Sequence, residues 1–322
     1  FGFRTPETMR LATLENLSQA EGYCHQKGIF PAREAVVMET QNLGIRGVTT
    51  DDVFMGNGVS ELILMTMEAL LRHGDEVLLP APDYPLWTAA VVVTGAVPVY
   101  YPCRPERGFI PDPEELRSLV SPRCKAIVII NPNNPTGAVY PFEVLEGIVR
   151  LAEEKRLVLC ADEIYNRILY GDAKYVPVAS LCNDTLCASF GGLSKVYRAC
   201  GFRTGWVFFS GRKEHASDYL AGLELLASLR LCSNVPGQWA VQTALCGVQI
   251  IYQLTAPSGR LGKQRRAMME GLSRSKFLNV VEPKGAFYAF VGANRDLLPT
   301  FNDHEFAMRL LEQKHVLVVP GS

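Results

Sequence analysis

Strand-length apolar runs alternate with longer segments of helical period through most of this chain, and few folds accommodate that alternation. The expected order is strand 53–55, helix 60–72, strand 76–79, helix Pro85–Val93 and strands 97–101 and 125–130. Helix Phe142–Lys155 and strands 157–161, 186–190 and 206–209 follow. Residues 125–130 carry five apolar, mostly β-branched side chains with no polar face, so that strand is buried on both sides. In helix Phe142–Lys155 the inner stripe is Leu145, Ile148, Val149 and Ala152. Strands joined by crossover helices run parallel, and ligands collect at their carboxyl ends. The pattern predicts an α/β chain with a mostly parallel central sheet flanked by helices. A large domain is expected at 20–255, and residues 256–322 hold a basic connector helix at 259–275 and part of a smaller α/β domain. Residues 1–19 form an N-terminal segment on the small-domain side.

Composition narrows the partners. A net charge of -1 across 322 residues gives no electrostatic reason to expect nucleic acid or an anionic membrane. The nine cysteines include no C-x-x-C pair, which points to free thiols in a reducing compartment. No charged segment followed by an apolar one opens the chain, so the expected location is cytoplasmic. The uncharged run 84–103 could span a bilayer by length, but Pro85, Gly95, Pro98 and Pro102 interrupt it. The chain opens on Phe1-Gly2-Phe3 without methionine and stops after an apolar run, 316–319, that reads as a strand. Both ends are expected to be interruptions rather than natural termini.

The strand-end loops carry the reactive side chains. Asp162 closes strand 157–161, where a carboxylate must be paired or solvated. It reads either as the cap of a helical turn at 165–169 or as the counter-charge for a ligand cation. Tyr165 shares its side of that turn. Lys195 follows a strand and Gly191-Gly192, so a loop delivers it to the sheet edge. A surface lysine is the plain alternative to one that loses its proton and forms a Schiff base. Arg203, flanked by Gly201 and Gly205, offers a bidentate fork for phosphate, or is another surface arginine. Gly56-Asn57-Gly58-Val59-Ser60 opens a helix whose free N–H groups suit an anion. Asn131-Pro132-Asn133-Asn134-Pro135-Thr136-Gly137 is over-specified for a structural turn alone. Asp83-Tyr84-Pro85 brings an aromatic ring to the same edge or into the core.

Residues 131–137, Asp162-x-x-Tyr165, and Ser194-Lys195 followed by Gly201-x-Arg203 together resemble the fold-type I, pyridoxal-phosphate-dependent class I/II aminotransferases. Order and separation match over essentially the whole chain. Residues 56–62, 80–90 and 228–236 are similar to the bacterial glutamate–pyruvate (alanine) subgroup. The resemblance implies amino-group exchange between L-alanine and 2-oxoglutarate by a ping-pong mechanism. Lys195 would hold pyridoxal 5'-phosphate as an internal aldimine and move the substrate proton. Asp162 would pair with the ring nitrogen, Tyr165 and Asn134 would bond the ring 3'-oxygen, and Tyr84 would stack on the ring. Asn134 would also touch the substrate carboxylate. Gly58, Val59, Ser60, Ser194 and Arg203 would hold the phosphate. Tyr23 matches the tyrosine given to the neighbouring subunit's phosphate, which implies a homodimer with shared sites. Departures from the family pattern are Arg198 and Thr204 in the lysine signature, both compatible with the alanine subgroup, and Gly192 in place of a phosphate-binding serine. The family's N-terminal closing loop and its C-terminal carboxylate-binding arginine have no counterpart in these residues. Another donor preference, a carbon–sulfur β-lyase and a cofactor-binding sensor are the competing readings. Arg230 is left as a contact to a substrate's distal carboxylate or, the favoured choice, an interface arginine.

Overall fold

The computed structural model describes residues 3–322, so Phe1 and Gly2 of the N-terminal reading lie outside the described residues. Among the described residues nine strands are formed: β1 (Val53–Gly56), β2 (Glu76–Ala81), β3 (Val97–Pro102), β4 (Cys124–Ile130), β5 (Val158–Asp162), β6 (Leu186–Gly192), β7 (Gly205–Gly211), β8 (Leu278–Val280) and β9 (Val291–Ala293). The helices are α1 (Glu7–Glu15), α2 (Phe30–Asn42), α3 (Val59–Leu70), α4 (Pro85–Val93), α5 (Pro113–Leu119) and α6 (Phe142–Lys155). They continue with α7 (Ser217–Leu229), α8 (Val235–Gln238), α9 (Ala240–Cys246), α10 (Ile251–Thr255), α11 (Arg260–Leu272) and α12 (Asp303–Lys314).

Strands β1 to β7 make one sheet in the order β1-β7-β6-β5-β4-β2-β3. The ladders β3·β2, β2·β4, β4·β5 and β5·β6 are parallel, as crossover helices require. Strand β7 runs antiparallel to both β6 and β1. Its first residue therefore lies at the same sheet edge as the last residues of the parallel strands. The period-2 alternation divides the core into two faces. Ile127, Ile129, Leu159 and Ala161 pack with α2, α6 and α9. Val128, Ile130, Cys160, Ala188 and Phe190 pack with α3, α4 and α7. The α6 stripe is buried as expected, with Leu151 added. Trp87, from the first turn of α4, is fully buried and meets Phe190 edge-on at 5.3 Å. Each such side chain contributes roughly 1.5–3 kcal/mol of burial.

Segment 283–286 closes onto the main sheet through backbone bonds. Gly137 O accepts from Lys284 N and Gly285 N, both at 2.8 Å, and Ala286 N donates to Ile168 O at 2.9 Å.

Two local expectations are corrected. Residues 316–319 form no strand: Leu317 and Val319 are 77% and 90% exposed, and no neighbouring ladder satisfies their backbone. Residues 164–167 make a hydrogen-bonded turn, not a helix, because the chain then leaves for the Leu169–Gly285 bridge. The uncharged run 84–103 divides into α4 and β3, and among the described residues no helix is long and apolar enough to cross a membrane. Strands β1, β6 and β7 extend into their glycines, beyond the apolar runs that announced them.

Candidate active site

Five connections converge on one edge of the sheet. They follow the carboxyl ends of β1, β2, β4, β5 and β6, and the last of them leads directly into β7. Together they line a cavity of about 280 Å³ that includes Val59, Ser60, Tyr84, Asn134, Asp162, Tyr165, Ser194, Lys195 and Arg203. Gly58 lies immediately before Val59 at the mouth of α3. Tyr23 does not line the cavity and is 82% exposed in the single chain.

One end is built for an anion. Gly58 adopts φ +82°, and a Cβ there would stand 2.2 Å from Arg203 Nη2. Only glycine leaves room for the guanidinium beside the first turn of α3. Arg203 itself is left-handed (φ 45°); its Nη1 donates to Cys200 O at 2.9 Å and to Ser194 Oγ at 3.4 Å, and its Nη2 donates to Asn57 O at 3.4 Å. Helix N–H groups, a guanidinium and a hydroxyl thus face the same space.

Another part of the lining is built for a cation. Asp162 is 4% exposed and lies on the face of β5 that meets α4, so Trp87 Nε1 donates to its Oδ2 at 3.2 Å. Ile164 N–H donates to its Oδ1 at 3.4 Å. Burial pushes the carboxyl up to about 6, against the opposing pull of the Trp87 and Ile164 donors and the Lys195 charge. A carboxylate held there gains from any further positive group brought into the cavity. Lys195 lines the same cavity, its Nζ 5.9 Å from the Tyr165 ring centroid. Tyr165 is buried, its hydroxyl 2.7 Å from Tyr288 Oη, and burial holds its pKa well above the ordinary phenol value.

The asparagine-rich turn divides its labour. Asn131 Oδ1 accepts from Tyr140 N, and Asn133 Oδ1 accepts from Thr136 N and Oγ1. Those two amides build the turn, and Asn134 lines the cavity.

A family model described as aminotransferase class I and II matches residues 15–322. The chain belongs to the class I and II aminotransferases. Glutamate-pyruvate aminotransferase from Escherichia coli K12 is 46% identical over 322 residues, covering all of this chain and 80% of that protein. Alanine aminotransferase from Mycobacterium tuberculosis is 46% identical over 323 residues, covering all of this chain and 75% of that protein. The crystal structure of an aminotransferase from Escherichia coli superposes with a TM-score of 0.97 at 46% identity, across all of this chain and 80% of that one. The family and its fold depend on pyridoxal 5'-phosphate.

Two residues of this aminotransferase site carried no strand-end signal. Trp87 is hidden in an apolar helix turn, and its indole reaches Asp162 only because α4 packs across the end of β5. Tyr288 comes from a segment outside the main sheet, anchored by the Gly137 carbonyl; a tertiary contact of that kind has no local pattern. Arg230 is held by contacts within its own chain. Its Nη1 lies 2.6 Å from Glu61 Oε2, and its Nη2 donates to Gln26 O and Met55 O at 2.9 and 3.2 Å. The side chain is 14% exposed, engaged within its own chain.

Proposed function

We propose that this aminotransferase exchanges the amino group between L-alanine and 2-oxoglutarate, giving pyruvate and L-glutamate in two ping-pong half-reactions. The observation that carries the cofactor part is one cavity lined by an anion-binding helix start with Arg203, by the buried Asp162 carboxylate and by Lys195. Pyridoxal 5'-phosphate has that outline: a phosphate, an aldehyde and a ring nitrogen. The donor set fits it, because the Gly58 gap and Arg203 suit the phosphate and Asp162 suits a protonated ring nitrogen. When bound, the cofactor supplies the electrophile and electron sink that make an amino acid's α-proton removable.

The chain's own groups take these roles. The Lys195 amine holds the cofactor and then moves the proton at the substrate Cα. Asp162, with Trp87 fixing one of its oxygens, keeps the proton on the ring nitrogen. At about 4 Å and an effective dielectric of about 20 such a pair is worth ~4 kcal/mol, enough to hold that proton near neutral pH. The Tyr165 hydroxyl and the Asn134 amide bond the ring 3'-oxygen, and Asn134 also orients the substrate carboxylate. Tyr84 covers the ring face. The backbone of Gly58, Val59 and Ser60, with Ser194 and Arg203, holds the phosphate. We assign exposed Tyr23 to the phosphate of a second copy, in a homodimer with shared sites. Residues 20–255 are then the cofactor domain and 256–322 part of the small domain. The free state of all nine cysteines supports a cytoplasmic location.

The alanine assignment rests on the two 46%-identical relatives. A donor panel with 2-oxoglutarate as acceptor tests it on the intact protein. Alanine should exceed aspartate, valine and aromatic donors by about tenfold or more in kcat/KM, a ~1.4 kcal/mol preference. A flat or aromatic-led profile overturns it.

A further inference from the structure

We infer that Arg230 is a positioning residue for the phosphate end of the cavity and acts by neutralising Glu61. The inference rests on the cofactor reading above. Glu61 lies in the first turn of α3, three residues after Gly58. Its Oε2 accepts from Asn57 N at 2.7 Å and its Oε1 from Asn57 Nδ2 at 3.0 Å. These bonds order the loop that aims the helix N–H groups, in the manner of an N-terminal cap. The same carboxylate competes with a phosphate for the positive end of the helix and repels it. A loop that needs Glu61 for its shape therefore also needs its charge cancelled.

Arg230 does this from the far side. Its Nη1 sits on Glu61 Oε2, while Nη2 is fixed by carbonyls of Gln26 and of Met55 at the end of β1. The guanidinium fork thus ties the carboxylate to the strand that feeds the loop. Its Nε is buried with no hydrogen-bond partner, a desolvation cost incurred for this placement. The network then runs on to the phosphate ligand. Asn57 Oδ1 accepts from Asn234 N at 2.9 Å, and Asn234 Nδ2 donates to Arg203 O at 2.6 Å.

Charge cancellation and plain scaffolding predict opposite signs for the two partners. The test measures dissociation constants of the cofactor-free protein for pyridoxal 5'-phosphate, inorganic phosphate and pyridoxal by fluorescence titration. Arg230→Met should weaken pyridoxal 5'-phosphate and phosphate about tenfold and leave pyridoxal within about twofold, because only the charged ligands feel Glu61. Glu61→Gln should bind the phosphate ligands as well as the parent or tighter. The double variant should return to within about threefold of the parent. Equal losses for pyridoxal, a weakening by Glu61→Gln, or a double variant no better than Arg230→Met would each overturn the role. A parent that binds pyridoxal and pyridoxal 5'-phosphate equally would remove the cofactor reading itself, whatever the variants do.

Discussion

Asp162 is costly to the fold by itself. Its folded pKa of about 6 stands above the ordinary aspartate value, so the native state binds the extra proton between roughly pH 4 and 6. Stability linked to this group is full below about pH 4 and is lost as the pH rises through 6. About two pKa units correspond to ~3 kcal/mol lost above that window. Cofactor-free Asp162→Asn should therefore unfold at higher urea than the parent at pH 8 and at a similar midpoint near pH 4. The same variant should gain less stability from added pyridoxal 5'-phosphate. A parent more stable than the variant at pH 8 contradicts the desolvation argument. Asp162, Lys195 and Arg203 were legible because each interrupts an apolar or glycine-rich stretch at a strand end, where a charge has to be explained. Trp87 was not, since an indole in an apolar helix turn is indistinguishable from core until its N–H is seen on a carboxylate.

At the scale of elements, three strands come together through glycines. Gly56 pairs with Gly205, and Gly205 with Gly192, across β1, β7 and β6. A Cβ on Gly205 would stand 2.7 Å from Val59 N, so these bare residues bring the start of α3 against the sheet edge. Glycine read as a breaker hides this, which is why the strands stopped short of their true ends in the sequence. The order of the seven central strands along the chain was otherwise recoverable, because apolar strands and the α6 stripe report burial directly. Gly58→Ala places a methyl group against Arg203 at a backbone angle that costs of order 1–3 kcal/mol. It should weaken pyridoxal 5'-phosphate binding about tenfold or more, read by titrating the cofactor-free protein. Unchanged affinity would show that the Gly58–Arg203 approach is not the phosphate cradle. The segment carrying Tyr288 shows the limit of strand-end reasoning, since it reaches the cavity through tertiary contacts such as the backbone bonds to Gly137 and Ile168.

For the whole molecule, one cavity gathers the ends of five connections, and Tyr23 stands apart from it with 82% exposure. The proposed homodimer with shared sites would give that side chain a phosphate to meet. Tyr23→Phe should weaken pyridoxal 5'-phosphate about tenfold, one lost charge-assisted hydrogen bond, while sedimentation still shows a dimer. Parent-like affinity would remove Tyr23 from the site. The central claim is that Lys195 is the residue holding the cofactor. Borohydride reduction of the cofactor-loaded protein, followed by peptide mass spectrometry, tests it most directly. The account predicts one pyridoxyl label per chain, on Lys195, and none on the Lys195→Ala variant. A label on a different lysine, or no label on a parent that has bound the cofactor, would contradict it.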